Sequence, residues 1–177
     1  MSCHSSKGSN CVKDVVRAIV DAQDEVAGRD CCSTGCDRSI AELLSPSSGN
    51  GNNATTIPFI LYCGCKPFFG SGVERVTNGT SRYHCVESPV FRACKFVEDS
   101  DNCVQLELLQ PVHGSAASCT RQCDSNRDVC DFLNNVVDFY ATGICITVDL
   151  DCFCAISCLD PIRPTTTAPM RAMHSKD

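Results

Sequence analysis

Apolar and polar residues alternate most regularly between residues 142 and 159, TGICITVDLDCFCAISCL. The even positions are Ile144, Ile146, Val148, Leu150, Cys152, Cys154, Ile156 and Cys158; the odd ones begin Cys145, Thr147, Asp149 and Asp151. Successive side chains of an extended chain point to opposite faces, so this is the pattern of a half-buried strand. A helix would set Asp149 and Cys152 on one side and scatter the apolar set. Fully extended, about fifteen of these residues would run roughly 50 Å at ~3.3 Å per residue, too long for a small domain. That predicts a bend or bulge near Asp151, two strands in place of one, and three cysteines on a buried face.

The rest of the chain divides by period. Between residues 11 and 28 the apolar positions Val12, Val15, Val16, Ile19, Val20 and Val26 recur three and four apart. This predicts an amphipathic helix with Asn10 as its N-cap and Gly28 as its stop. The stripe is rich in valine, which lowers helicity, so packing must hold it, on its own sheet or on a neighbouring subunit. Residues 57–65 read as a strand that starts or edges a sheet, because Pro58 cannot donate to a ladder. Two extended runs, 89–97 and 103–112, flank the acidic turn EDSDN and predict a hairpin. Residues 129–133 and 136–140 read as short strands, and 40–44 as a helical turn. Residues 30–36 form a cysteine-dense turn, 45–56 a low-complexity loop and 113–128 a polar loop; 66–85 carry no clear period.

The expected fold is therefore mainly β (α+β): a small antiparallel sheet or sandwich with one N-terminal amphipathic helix, capable of disulfides. Residues 1–30 are expected to hold a flexible N-terminus and the helix, 31–56 the cysteine-rich turn and loop, 57–160 the β domain, and 161–177 a disordered Pro/Thr-rich tail.

Composition changes this picture in one respect. Of the 177 residues, 17 are cysteine and none is tryptophan, so large apolar side chains are scarce and cross-links or assembly must supplement the core. No apolar run has the length of a signal peptide or a bilayer span, which points to synthesis in a reducing cytoplasm and oxidation later. A net charge of −6 offers no basic patch for nucleic acid or an acidic membrane. An odd cysteine count leaves at least one thiol free or bonded to another molecule in any monomer.

Three chemistries compete for the thiols. Structural zinc favours paired Cys-x2-Cys knuckles, and none is present; a Cys-x-Cys assembly with His84 or His113 is the residual metal-binding alternative. Catalysis needs an activated thiolate, and His84 beside Cys85 on a strand points the opposite way, so no enzyme and no cofactor are expected. Cross-linking needs only thiols within reach and an oxidant. Cys3, Cys11, Cys31, Cys32, Cys36, Cys119 and Cys123, in termini, turns and loops, are the candidates for bonds between chains. Cys63, Cys94, Cys145, Cys152, Cys154 and Cys158, on or beside strands, are the candidates for burial or internal bridges.

The segment CITVDLDCFCAISCL resembles the C-terminal hallmark of the spore coat protein Z family, the cysteine-rich coat and exosporium proteins. Met1-Ser2-Cys3, the helix start at Cys11, Cys32-Ser-Thr-Gly-Cys36, Thr56-Ile-Pro-Phe59 and Ser88-Pro-Val-Phe-Arg92 agree in the same order, so the likeness covers roughly residues 1–160. Cys63, Cys65, Cys94 and Ser157 depart from the family's usual residues, so no bridge pattern carries over. The resemblance implies a structural protein of the bacterial spore surface, made in the mother-cell cytoplasm. It further implies assembly with copies of itself and with other coat or exosporium proteins into a two-dimensional lattice, hardened by intermolecular disulfides.

Overall fold

The structure, a computed structural model, describes residues 12–27, 34–45, 54–78, 80–114 and 128–166. The chain divides into two units, Met1–Ser33 and Thr34–Asp177. In the first, α1 (Val12–Ala27) is the expected helix, and its Val15, Val16, Ile19 and Val20 are each about half exposed. Asn10 and Gly28, its expected caps, lie outside the described residues.

In the second unit, a short helix α2 (Cys36–Leu44) precedes eight strands: β1 (Phe59–Cys63), β2 (Lys66–Pro67), β3 (Gly70–Asn78), β4 (Thr80–Ser88), β5 (Phe91–Phe96), β6 (Cys103–His113), β7 (Val136–Asp149) and β8 (Ala155–Cys158). A third helix, α3 (Val129–Leu133), sits between β6 and β7. Six strands form one antiparallel sheet in the order β2-β1-β5-β6-β7, with β8 also on β1; β3 and β4 pair separately as a ribbon. The fold is thus mainly β and antiparallel, as the alternation predicted. Pro58 immediately precedes β1, which lies inside the sheet.

The sheet buries apolar side chains on both faces. Phe59 and Leu61 of β1, Phe91 of β5, and Val104, Leu106 and Leu108 of β6 form one core, against which Ile144, Ile146 and Val148 of β7 pack. Ile60, Val90, Leu109 and Phe139 join Val129 in a second core. Alternate residues of β1 serve opposite cores, as the pleat requires. The β3–β4 ribbon crosses the first core so closely that only glycine fits. A Cβ on Gly70 would stand 2.7 Å from Ile146 Cδ1 and from Phe91 Cε1, and one on Gly72 would collide with Ile144 Cγ2.

Several elements differ from the sequence expectation. Residues 129–133 are helical: the Asp128 carboxylate accepts from Cys130 N at 2.9 Å, and Phe132 N donates to Asp128 O at 3.1 Å. Val129, Phe132 and Leu133, three and four apart, then reach the second core. The expected 136–140 strand and the strand after it are one, β7, continuous through an irregularity opposite Leu108. There Gly143 adopts φ 74°, its N–H donates to Glu107 Oε1 at 2.7 Å, and Thr142 Oγ1 donates to Leu108 O at 2.7 Å. Within the stretch expected as a tail, Ile162 pairs with Thr56 and Thr165 with Tyr140, while residues 167–177 lie outside the described residues. The acidic hairpin turn is present, closed by Val97 N to Cys103 O at 2.8 Å.

The predicted bend falls where the aspartates allow it. A single 3-10 turn, Leu150–Cys152, separates β7 from β8. Asp149 accepts from Asp151 N at 3.0 Å, and Asn102 Nδ2 donates to Asp151 Oδ2 at 2.8 Å.

Candidate cross-linking sites

The bend determines where the sulfurs go. In β7 the alternation holds from 143 to 149, with Ile144, Ile146 and Val148 half-buried and Cys145, Thr147 and Asp149 exposed. The turn then breaks the phase. Phe153 takes the inward place against Phe68 at 5.2 Å, and Cys152 and Cys154 are left exposed. The expected buried face of three cysteines reduces to Cys158, which is half-buried beside the first core.

Cys158 is bonded to Cys36, Cα to Cα 4.8 Å, across 122 residues of chain. This bridge joins two residues that the sequence placed in different sets, Cys36 among the intermolecular candidates and Cys158 among the internal ones. Its geometry follows from α2. Ser39 is buried, and its hydroxyl reaches Leu159 O at 2.9 Å and Gly35 O at 3.0 Å, which holds the first turn of α2 against β8. In the chain-entropy view a loop of this length is worth ~5 kcal/mol as an upper figure.

The remaining candidates separate by position. Cys3, Cys11, Cys31, Cys32, Cys119 and Cys123 lie outside the described residues. Cys63, Cys94, Cys145, Cys152 and Cys154, expected to be buried or internally bridged, are exposed free thiols. The physical reason is that each sits where a face or an end of the sheet meets solvent. Cys65, Cys85, Cys103 and Cys130, which the sequence assigned to neither set, are also free, and all but the half-buried Cys103 are exposed.

Two groups of thiols stand out. At one end of the sheet, Cys63 pairs with Lys66 around Gly64 (φ 56°) and Cys65 (φ 64°), a two-residue turn that holds Cys65 at its tip. Cys154 N donates to Tyr62 O at 2.8 Å, and its Sγ donates to the same oxygen at 3.3 Å. The β1–β8 register ends at Tyr62↔Ala155, so Cys154 comes one step beyond it, across from Cys63. The signal for Cys65 was present in the sequence, since Cys-Gly-Cys-Lys after an alternating strand is turn chemistry.

The second group lies over β5, β6 and β7. Cys145 is opposite Glu107, and its thiol lies near that of Cys94. Its pKa is raised above the ordinary thiol value, first by partial burial and then by Cys94 and Glu107, with Arg92 opposing. Glu107 is itself buried. Its Oε2 accepts from Arg92 Nε and Nη2, each at 2.6 Å, and its Oε1 accepts from Gly143 N, so the carboxylate anchors the irregularity of β7.

His84 faces Glu74, Nδ1 to Oε1 3.3 Å, while Cys85 lies opposite Val73 on the alternate face of the ribbon. Among the described residues, no three His, Cys, Asp or Glu side chains gather as a metal site, and no helix is long and apolar enough to cross a membrane.

Comparison with known proteins agrees with the hallmark segment. The family model described as spore coat protein Z matches residues 1–161. Spore coat protein Z of Bacillus subtilis (strain 168) is 32% identical over 166 residues, spanning 89% of this chain and 93% of the relative. No solved structure matches.

Proposed function

Because this chain belongs to the spore coat protein Z family, a structural family of the spore surface, we propose that it builds an ordered two-dimensional array there from copies of itself, locked by intermolecular disulfides. It acts as a building unit and not as an enzyme, and other coat or exosporium proteins are its further partners.

The observation that carries this reading is the sulfur distribution. Among the described residues, eight free thiols are exposed, against a single bridge within the chain. A domain that used its cysteines for its own stability would turn them inward and pair them. Here they stand at a turn tip, strand ends, an outer sheet face, the ribbon and α3, where a thiol on another chain can approach. Each bond forms when a protein thiolate attacks a low-molecular-weight disulfide, releasing one small thiol, and a thiolate of a second chain attacks the resulting mixed disulfide, releasing the other. Two protein thiols are oxidised, and the small disulfide leaves as two reduced thiols.

Electron microscopy of the recombinant protein, prepared with reductant and with oxidised glutathione, tests this. Ordered sheets that withstand hot detergent after oxidation and fall apart on adding thiol are expected. A soluble monomer under oxidant, with every thiol free or paired inside its own chain, would overturn the reading.

A further inference from the structure

The outer edge of β7 is divided in two. Along its first half, Ala141 N donates to Thr165 O and Thr165 N to Phe139 O, each at 2.9 Å, so a parallel segment covers it. Past Gly143 the cover stops. Among the described residues, no strand pairs with the outer side of 143–149.

The register determines which groups are left. Leu150 N donates to Asn102 O at 2.9 Å, bracketing the pair Cys103↔Asp149. In an antiparallel ladder, a pair bracketed in this way exchanges no bonds itself, and every second pair along shares that character. Gln105↔Thr147 and Glu107↔Cys145 are those pairs, so Cys145, Thr147 and Asp149 turn their N–H and C=O groups away from β6.

The opposite edge of the sheet is managed. β8 is four residues long, bonded through Cys158 to α2, with Ser39 on the carbonyl just beyond it. From Cys145 to Asp149 the β7 edge has no lysine and no proline, and its one charged side chain, Asp149, stands at its end.

We propose that this edge of β7 pairs antiparallel with the same edge of a second copy, across a two-fold axis at Cys145. The proposal rests on the assembly reading above and names the surface that assembly uses. A second copy is the occupant because the edge is its own complement. With the axis at Cys145, the outward groups of that residue meet their own copies, and Ile144 lies opposite Ile146 of the second copy. The apolar face of the first core then continues across the junction. The two Asp149 carboxylates stand at opposite ends, eight residues apart in register and so roughly 26 Å at ~3.3 Å per residue, far enough to be screened. Pairing stops where Thr165 already occupies Ala141.

Two measurements decide it. Hydrogen exchange of the wild-type protein, quenched and read after dissolving the sheets, should show the amides of Cys145 and Thr147 fast in the dilute reduced chain and roughly tenfold or more slower in the assembly. Thr147→Pro removes one outward N–H that bonds nothing within the chain, so it should keep the monomer folded by circular dichroism and abolish the sheets. Sheets formed by Thr147→Pro, or amides that stay fast in wild-type sheets, overturn the edge and leave the assembly reading standing. Amides already slow in the dilute chain overturn it too, by showing the edge covered from within, for example by residues after Thr166. If Thr147→Pro fails to fold, the wild-type exchange decides alone. A wild-type chain that never assembles removes both proposals together.

Discussion

The two borders of the main sheet are treated in opposite ways. At β8 the chain invests a disulfide, a helix and a buried serine in closing off four residues. At the far half of β7, among the described residues, no strand covers a longer edge, which carries a thiol on its outer face and backbone donors turned away from β6. The difference teaches that the cysteines are not one population. Cys36 and Cys158 stabilise the fold, whereas the exposed thiols contribute little to it and remain free to react with another chain.

The largest effect that can break this comparison is at the closed border. Cys36→Ser combined with Cys158→Ser should cost about 2–4 kcal/mol and lower Tm by roughly 5–15 °C, and reductant should do the same to the wild type. A thermal melt under oxidising and reducing buffer checks it. If Tm does not move, the bridge is not what holds that border.

A comparable loss is expected beneath the open border. Glu107→Ala leaves Arg92 and the Gly143 amide without their acceptor, and should cost about 2–3 kcal/mol in urea unfolding. Glu107→Gln keeps an oxygen for Gly143 and should lose less. Equal losses would mean that the charge on Arg92, and not the shape of β7, is what the carboxylate serves.

Smaller changes sharpen the contrast. Ser39→Ala should cost about 1 kcal/mol, the value of one net hydrogen bond. Exposed thiols such as Cys65 should tolerate serine within ~0.5 kcal/mol, as surface positions do. Cys145 offers a test by titration. Its raised pKa means that the folded chain holds that proton more tightly than the unfolded chain does. The stability it contributes is therefore complete below the ordinary thiol pKa and is lost as pH rises through the raised one. Alkylation of Cys145 should accordingly need a higher pH in the folded chain than in the urea-unfolded one, and Cys94→Ser should narrow the gap; peptide mapping after iodoacetamide treatment at several pH values reads both.

Much of this fold was legible where one side of a strand is wet and the other dry. The 103–112 arm, the acidic turn, and the alternation in β7 with its bend at the aspartates all follow from that asymmetry. The β3–β4 ribbon was not legible, because beyond Gly72 both of its faces meet solvent and no period survives. The stretch 129–133 misled because five apolar-rich residues suit a strand or a helical turn equally, and the deciding group, the Asp128 cap, lies outside the run. For the sulfurs the limit was of another kind. A three-residue turn at 150–152 was enough to move Cys152 and Cys154 from core to surface, and the pairing of Cys36 with Cys158 depends on tertiary placement that spacing does not encode.

The separation of two thiol populations is tested most directly by mixing. Equal amounts of ordinary and nitrogen-15-labelled protein, reduced, combined and then oxidised with glutathione disulfide, would be digested without reduction and their linked peptides weighed. The Cys36–Cys158 peptide should appear only in its two unmixed forms, while peptides joining exposed cysteines such as Cys63, Cys65, Cys85 and Cys130 should include hybrids of light and heavy chain. Hybrids at Cys36–Cys158, or none anywhere else, would contradict the account.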